Sequence, residues 1–130
     1  MSNLQLFGAY AAAFEETLQD DDWSRLEQYF SEEAIYLPGD GTQDHWLAAL
    51  KGSVENLERK VDTRTLLEEP VVTEDGDTIT LKFKLQYTKA GLPDLVLVGA
   101  ETIQYKDGVI HRIEDAFENA EELISWREQL

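Results

Sequence analysis

The strongest constraint on this chain is a pair of long alternating runs joined by Asp107-Gly108. A two-residue type I′ turn needs positive φ at both central positions, and Asp-Gly accepts it readily. One strand should therefore run from Leu95 to Lys106 and the next from Val109 to Phe117. Side chains alternate along a strand, which places Val109, His111, Ile113, Asp115 and Phe117 on one face. Ile110, Arg112, Glu114 and Glu118 fall on the other. The first face is apolar except for His111 and Asp115. A carboxyl in such a place must be paired, solvated by a cavity or held protonated. Asp115 is therefore the leading candidate for a group that looks into a pocket.

The chain before the hairpin supplies more strands. Arg64 to Thr73 reads as a strand interrupted by Pro70, which predicts an edge position or a bulge. Glu74-Asp75-Gly76-Asp77 is a turn, and Thr78–Thr88 alternates cleanly, with Ile79, Leu81, Phe83, Leu85 and Tyr87 on one side. Leu95–Val98 is apolar on both faces and predicts cover on both. Glu101 falls on the side of Ile103 and Tyr105.

Helical spacing dominates the first half. Ser2 with Gln5 forms a capping-box pattern for a helix to about Leu18, with the stripe Leu6/Phe7, Tyr10, Ala13/Phe14 and Leu18. Asp22 can cap a second helix, Trp23 to Phe30. Ala34–Leu37 reads as a short strand stopped by Pro38-Gly39-Asp40-Gly41. Thr42 is then expected to cap a third helix, whose stripe is Trp46, Leu50, Val54, Leu57 and Val61. Asn119 with Glu122 predicts a terminal helix over Ala120–Gln129.

A chain of 130 residues without an internal repeat or linker reads as one domain, 1–130. The order helix, helix, strand, helix, then long antiparallel strands predicts an α+β fold. A strongly curved, mainly antiparallel sheet can wrap the helices into a cone whose mouth stays open. With no Cys and two separated His, no metal site or disulfide is expected. No phosphate-binding loop, dinucleotide fingerprint or nucleophile elbow occurs, so no cofactor is expected. The formal net charge of −16 argues against nucleic acid and anionic membranes as partners. Without a leader-like or membrane-length apolar run, the chain reads as cytoplasmic.

Two stretches carry a family resemblance. Trp23-(x)2-Leu26-(x)2-Tyr29-Phe30-Ser31-Glu32-Glu33-Ala34-Ile35-Tyr36 is similar to the opening of SnoaL-like proteins. Glu101–Ile110 followed by Ile113–Glu118 resembles the final hairpin of the same family, part of the nuclear transport factor 2-like superfamily. The resemblance implies the cone fold. It also implies an acid/base Asp on the last long strand, as in polyketide cyclases and limonene-epoxide-hydrolase-like enzymes, a position Asp115 matches. The further Arg and Asp of the epoxide hydrolases have Lys84 and Gln86 in their likely places. The Tyr and Asp of ketosteroid isomerases are matched by Phe14 and Pro38, so neither set is complete.

Asp115 is thus the first candidate catalytic group, and Glu101, on the neighbouring strand, could face the same cavity and raise one pKa of the pair. His111 shares the predicted face but stands about 13 Å along the strand from Asp115, too far for a direct dyad. Tyr10, Phe14, Tyr36, Trp46, Leu50, Phe83, Leu97 and Phe117 are the expected lining for a small, largely apolar molecule. Three readings stand: a cofactor-independent acid/base enzyme, a ligand-binding module, or an interaction domain with a filled cone. The outer sheet face, with Thr80, Lys82, Val96, Val98, Thr102 and Gln104, is the expected homodimer surface. The opposite strand parity would instead put Val96 and Val98 inside.

Overall fold

The structure, a computed structural model, describes residues 2–130. Helix α1 (Asn3–Asp20) begins at the predicted capping box: Gln5 N donates to Ser2 Oγ, and Ser2 N donates to Gln5 Oε1. It ends where Asp21 turns left-handed, at φ 61°. Asp22 caps the next segment as expected, but Trp23–Tyr29 is a 3-10 helix. Strand β1 (Phe30–Leu37) starts four residues before the predicted Ala34. Phe30 is therefore a strand residue, stacked on Trp46 with ring centroids 4.0 Å apart.

The third helix departs from expectation at both ends. Asp40 accepts from Thr42 N and Thr42 Oγ1, so Thr42 closes a turn and caps no helix. Asp44–His45 form β2, paired with β1, and α2 (Trp46–Ser53) follows with no side-chain cap. A π-turn, Val54–Glu58, ends it before Val61. The expected interrupted strand becomes two: β3 (Thr63–Leu66) and β4 (Val71–Asp75), both paired antiparallel with β5 (Thr78–Thr88). Pro70 lies in the break, where no ladder bond is needed.

Strands β6 (Leu95–Lys106) and β7 (Val109–Phe117) take the predicted bounds, and Asp107 and Gly108 have φ 53° and 80°. Parallel pairing of β1 with β7 closes a mixed sheet in the order β2-β1-β7-β6-β5-β3. Helix α3 (Ala120–Arg127) stops short of Gln129. Asn119 holds the N-cap position, but its side chain accepts from no helix amide. Its side chain accepts from Val98 N and donates to Val96 O, tying the helix start to β6.

Two core clusters hold the helices against the sheet. One gathers Phe7, Tyr10, Leu26, Phe30, Tyr36, Trp46, Ile79, Ile103 and Ile113; the other joins Leu57, Leu85, Tyr87, Leu95, Leu97, Leu123 and Trp126. Leu95 and Leu97 are buried while Val96 and Val98 are partly open, so the first of the two parities holds.

One bulge corrects the predicted face of the hairpin. Tyr105 pairs with Ile110, but Gln104 pairs with Arg112, leaving His111 without an opposite residue. An extra residue reverses the alternation. Ile110 therefore points inward with Ile113, both fully buried, and Val109 does not. Asp115 and Phe117 keep their inward side because they lie beyond the bulge.

Candidate acid pair on the inner sheet face

Asp115 stands directly opposite Glu101 across the β6–β7 ladder. Tyr36, on the parallel neighbour β1, donates a 2.5 Å hydrogen bond to Asp115 Oδ2. Asp115 Oδ1 is shielded from solvent and has no partner. Glu101 is within hydrogen-bonding reach of Asp115. Two ionised carboxylates only accept, so a bond between them requires a proton on one. Burial is the largest cause raising Asp115 well above the ordinary carboxylate range, and the Glu101 charge adds to it. The Tyr36 hydrogen bond pulls the other way. Burial also raises Glu101, opposed by hydrogen bonds with Asp115 and Tyr36 and by the charge of Arg64. The pair consequently retains a shared proton above the pH at which exposed carboxyls lose theirs.

Phenols surround these acids. Burial, followed by the nearby carboxylates, raises the Tyr10 and Tyr36 hydroxyls well above their ordinary value, so both remain neutral donors. Burial pushes Tyr105 up to about 12, and its hydroxyl has no partner.

The middle of the inner sheet face is open where its ends are sealed. Leu81, Phe83, Gly99, Glu101, Asp115 and Phe117 all keep some exposed surface. Ile79, Ile103 and Ile113 close one end; Leu85, Leu95 and Leu97 close the other. The acid pair thus lies between the two core clusters. At the surface, a groove of about 330 Å³ is lined by Leu18, Glu58, Arg59 and Arg64. A second, of about 500 Å³, runs past Asp40, Gly52 and Arg127 on the far side of α2. Neither includes Asp115 or Glu101.

The predicted lining divides. Tyr10, Tyr36, Trp46 and Leu50 are buried in one cluster and Leu97 in the other, whereas Phe14, Phe83 and Phe117 are partly open. Phe83 and Phe117 meet edge to face, with centroids 6.0 Å apart. His111 sits in the bulge, away from the acids, and His45 Nε2 contacts Glu32 O at 2.6 Å.

Sequence reasoning missed the role of two glycines. A Cβ on Gly99 would stand 2.5 Å from Ala116 O and 2.7 Å from Phe117 Cδ1. Gly39, at φ +88°, meets the same ring. A glycine inside a strand is the legible signal of such a close approach. Among the described residues no group of three or more His, Cys, Asp or Glu is arranged to hold a metal. No helix among them is long and apolar enough to cross a membrane.

This architecture, a curved mixed sheet closed over helices with its polar groups on the inner wall, is the cone of the nuclear transport factor 2-like fold. Among solved structures, a candidate polyketide cyclase from Xanthomonas campestris superposes with TM-score 0.67 at 22% identity, covering 97% of this chain and 99% of that one. A nuclear transport factor 2-like protein from Burkholderia xenovorans gives TM-score 0.76 at 14% identity, over 96% and 95% of the two chains. TerC, crystallised with polyporic acid, gives 0.70 at 18%, over 97% and 98%. No protein-family model and no curated protein matches the sequence significantly.

Proposed function

We propose that the inner sheet face beside Asp115, where Leu81, Phe83 and Phe117 are incompletely covered, borders a hollow that binds a small, largely apolar molecule with a carbonyl or comparable oxygen. The Glu101–Asp115 pair then exchanges a proton with it without a cofactor, as in cyclase, isomerase or hydrolase chemistry of the SnoaL-like kind. The observation behind this reading is the in-register acid pair whose Asp115 Oδ1 is shielded and unpartnered while Oδ2 is held by Tyr36.

A protonated carboxyl near neutral pH can donate to a developing oxyanion, and its ionised neighbour can accept a proton from carbon. Tyr36 fixes the carboxyl's orientation, and the surrounding core excludes water, which strengthens each electrostatic contact. A non-catalytic binding module is the second reading, favoured by the burial of Tyr10, Trp46 and Leu50 in core packing, which removes them from the lining of a reaction site.

The test is a carboxyl-carbon NMR titration of selectively labelled protein, with and without an aromatic hydroxyquinone as probe. The reading expects Asp115 or Glu101 to titrate clearly above the exposed carboxyls, and the probe to shift that titration. Ordinary titration of both, with no response to the probe, overturns it.

A further inference from the structure

The most exposed large apolar side chains of the β-sheet gather at one edge of it. They are Leu66, Leu67, Val71 and Val72, between 39% and 56% exposed, on or between β3 and β4. These two strands line the free edge of the sheet beyond β5, so their outward amides and carbonyls have no ladder partner. An apolar edge of this kind is a template for another strand.

The direction of the free backbone groups can be read from β5. Leu67 N donates to Lys84 O, which puts odd-numbered residues of β3 in contact with β5. The groups of Arg64 and Leu66 therefore point outward. The two-residue turn Gly76-Asp77 closes the Asp75–Thr78 pair, so in β4 the groups of Val72 and Glu74 point outward.

We infer that this edge pairs with the same edge of a second copy, antiparallel about a two-fold axis at Glu69. In that register Leu66 lies opposite the partner's Val72, and Leu67 opposite the partner's Val71. Arg64 lies opposite the partner's Glu74. Each outward backbone group then meets an outward backbone group, apolar meets apolar, and cation meets anion. A two-fold contact must be self-complementary in just this sense. The break at Glu68–Pro70 falls on the axis, where no ladder bond is required. Glu69 faces its own copy there and each chain carries a net charge of −16, so screening of this repulsion by salt outweighs the weakened Arg64–Glu74 attraction and strengthens the association. Arg64 already contacts Glu58 at 3.2 Å and Glu15 at 3.5 Å, which holds it at the edge without involving β4.

Sedimentation equilibrium on the full chain tests the inference. The wild type is expected to dimerise, more tightly at higher salt, and Val72→Lys or Leu66→Lys to raise the dimer dissociation constant at least tenfold with unchanged circular dichroism. Thr102→Lys, on the outer sheet face, should leave the constant unchanged. Amide exchange at Leu66 and Val72 should speed up on dilution of the wild type. A monomeric wild type overturns the inference. So does a dimer that Thr102→Lys disrupts and Val72→Lys does not, or one that recruits only a different protein's strand.

Discussion

The phenol of Tyr36 holds one oxygen of Asp115 at 2.5 Å and leaves the other enclosed by protein without a partner, while Glu101 stands directly opposite across the ladder. Three strands meet in that arrangement, and it sets the behaviour of the protein towards pH.

A carboxyl whose folded pKa exceeds its unfolded value binds a proton on folding. Its stabilisation is complete below the unfolded value, about pH 4, and is lost as pH rises through the raised value. Both Glu101 and Asp115 are raised. Unfolding free energy should therefore fall with pH above about 4, by up to ~1.4 kcal/mol per unit for each proton taken up. Asp115→Asn should flatten that slope in urea melts run across the acid range. An unchanged slope would count against the shared proton.

Tyr36→Phe removes the hydrogen bond that favours the ionised form of Asp115. The pair should then titrate higher still, and the protein should lose about 1–2 kcal/mol in stability. Carboxyl NMR reads the first effect and chemical denaturation the second.

Gly99→Ala places a methyl group against backbone Ala116 O and the Phe117 ring. The backbone atom cannot swing aside, so a loss of roughly 1–3 kcal/mol is expected. The aromatic shifts of Phe83, which packs on Phe117, should move with it.

Leu81→Trp enlarges an inner-face side chain that is only partly covered. If the middle of the sheet borders a hollow, the variant should fold with a melting temperature near that of the wild type and bind the hydroxyquinone probe at least tenfold more weakly. A strongly destabilised variant would mean that the space is already filled.

The hairpin and the capping box were legible because turn geometry and cap chemistry are local. Asp107-Gly108 and Ser2/Gln5 behave as their types dictate. Asp115 was legible as a carboxyl on an apolar face, and Glu101 as its neighbour. Thr42 misled because Asp40, two residues away, competes for the same hydroxyl and amide. Asn119 misled because carbonyl and amide groups of β6 compete for its side chain. The bulge at His111 has no local signature, since pairing across strands decides it. Alternation alone therefore put Val109 inside and Ile110 outside. The openness of the middle of the sheet is a matter of volume, which no periodicity encodes.

His111 also acts as a phase correction between the turn and the acid. Counting inward from Asp107-Gly108, a hairpin that kept His111 in a regular ladder, with no spare residue, would set Asp115 opposite Ala100 and turn its carboxyl to the other side of the sheet, away from Tyr36. The spare residue is thus what sets the Asp115 carboxyl opposite Glu101, and deleting His111 itself should regularise the ladder while keeping that pairing.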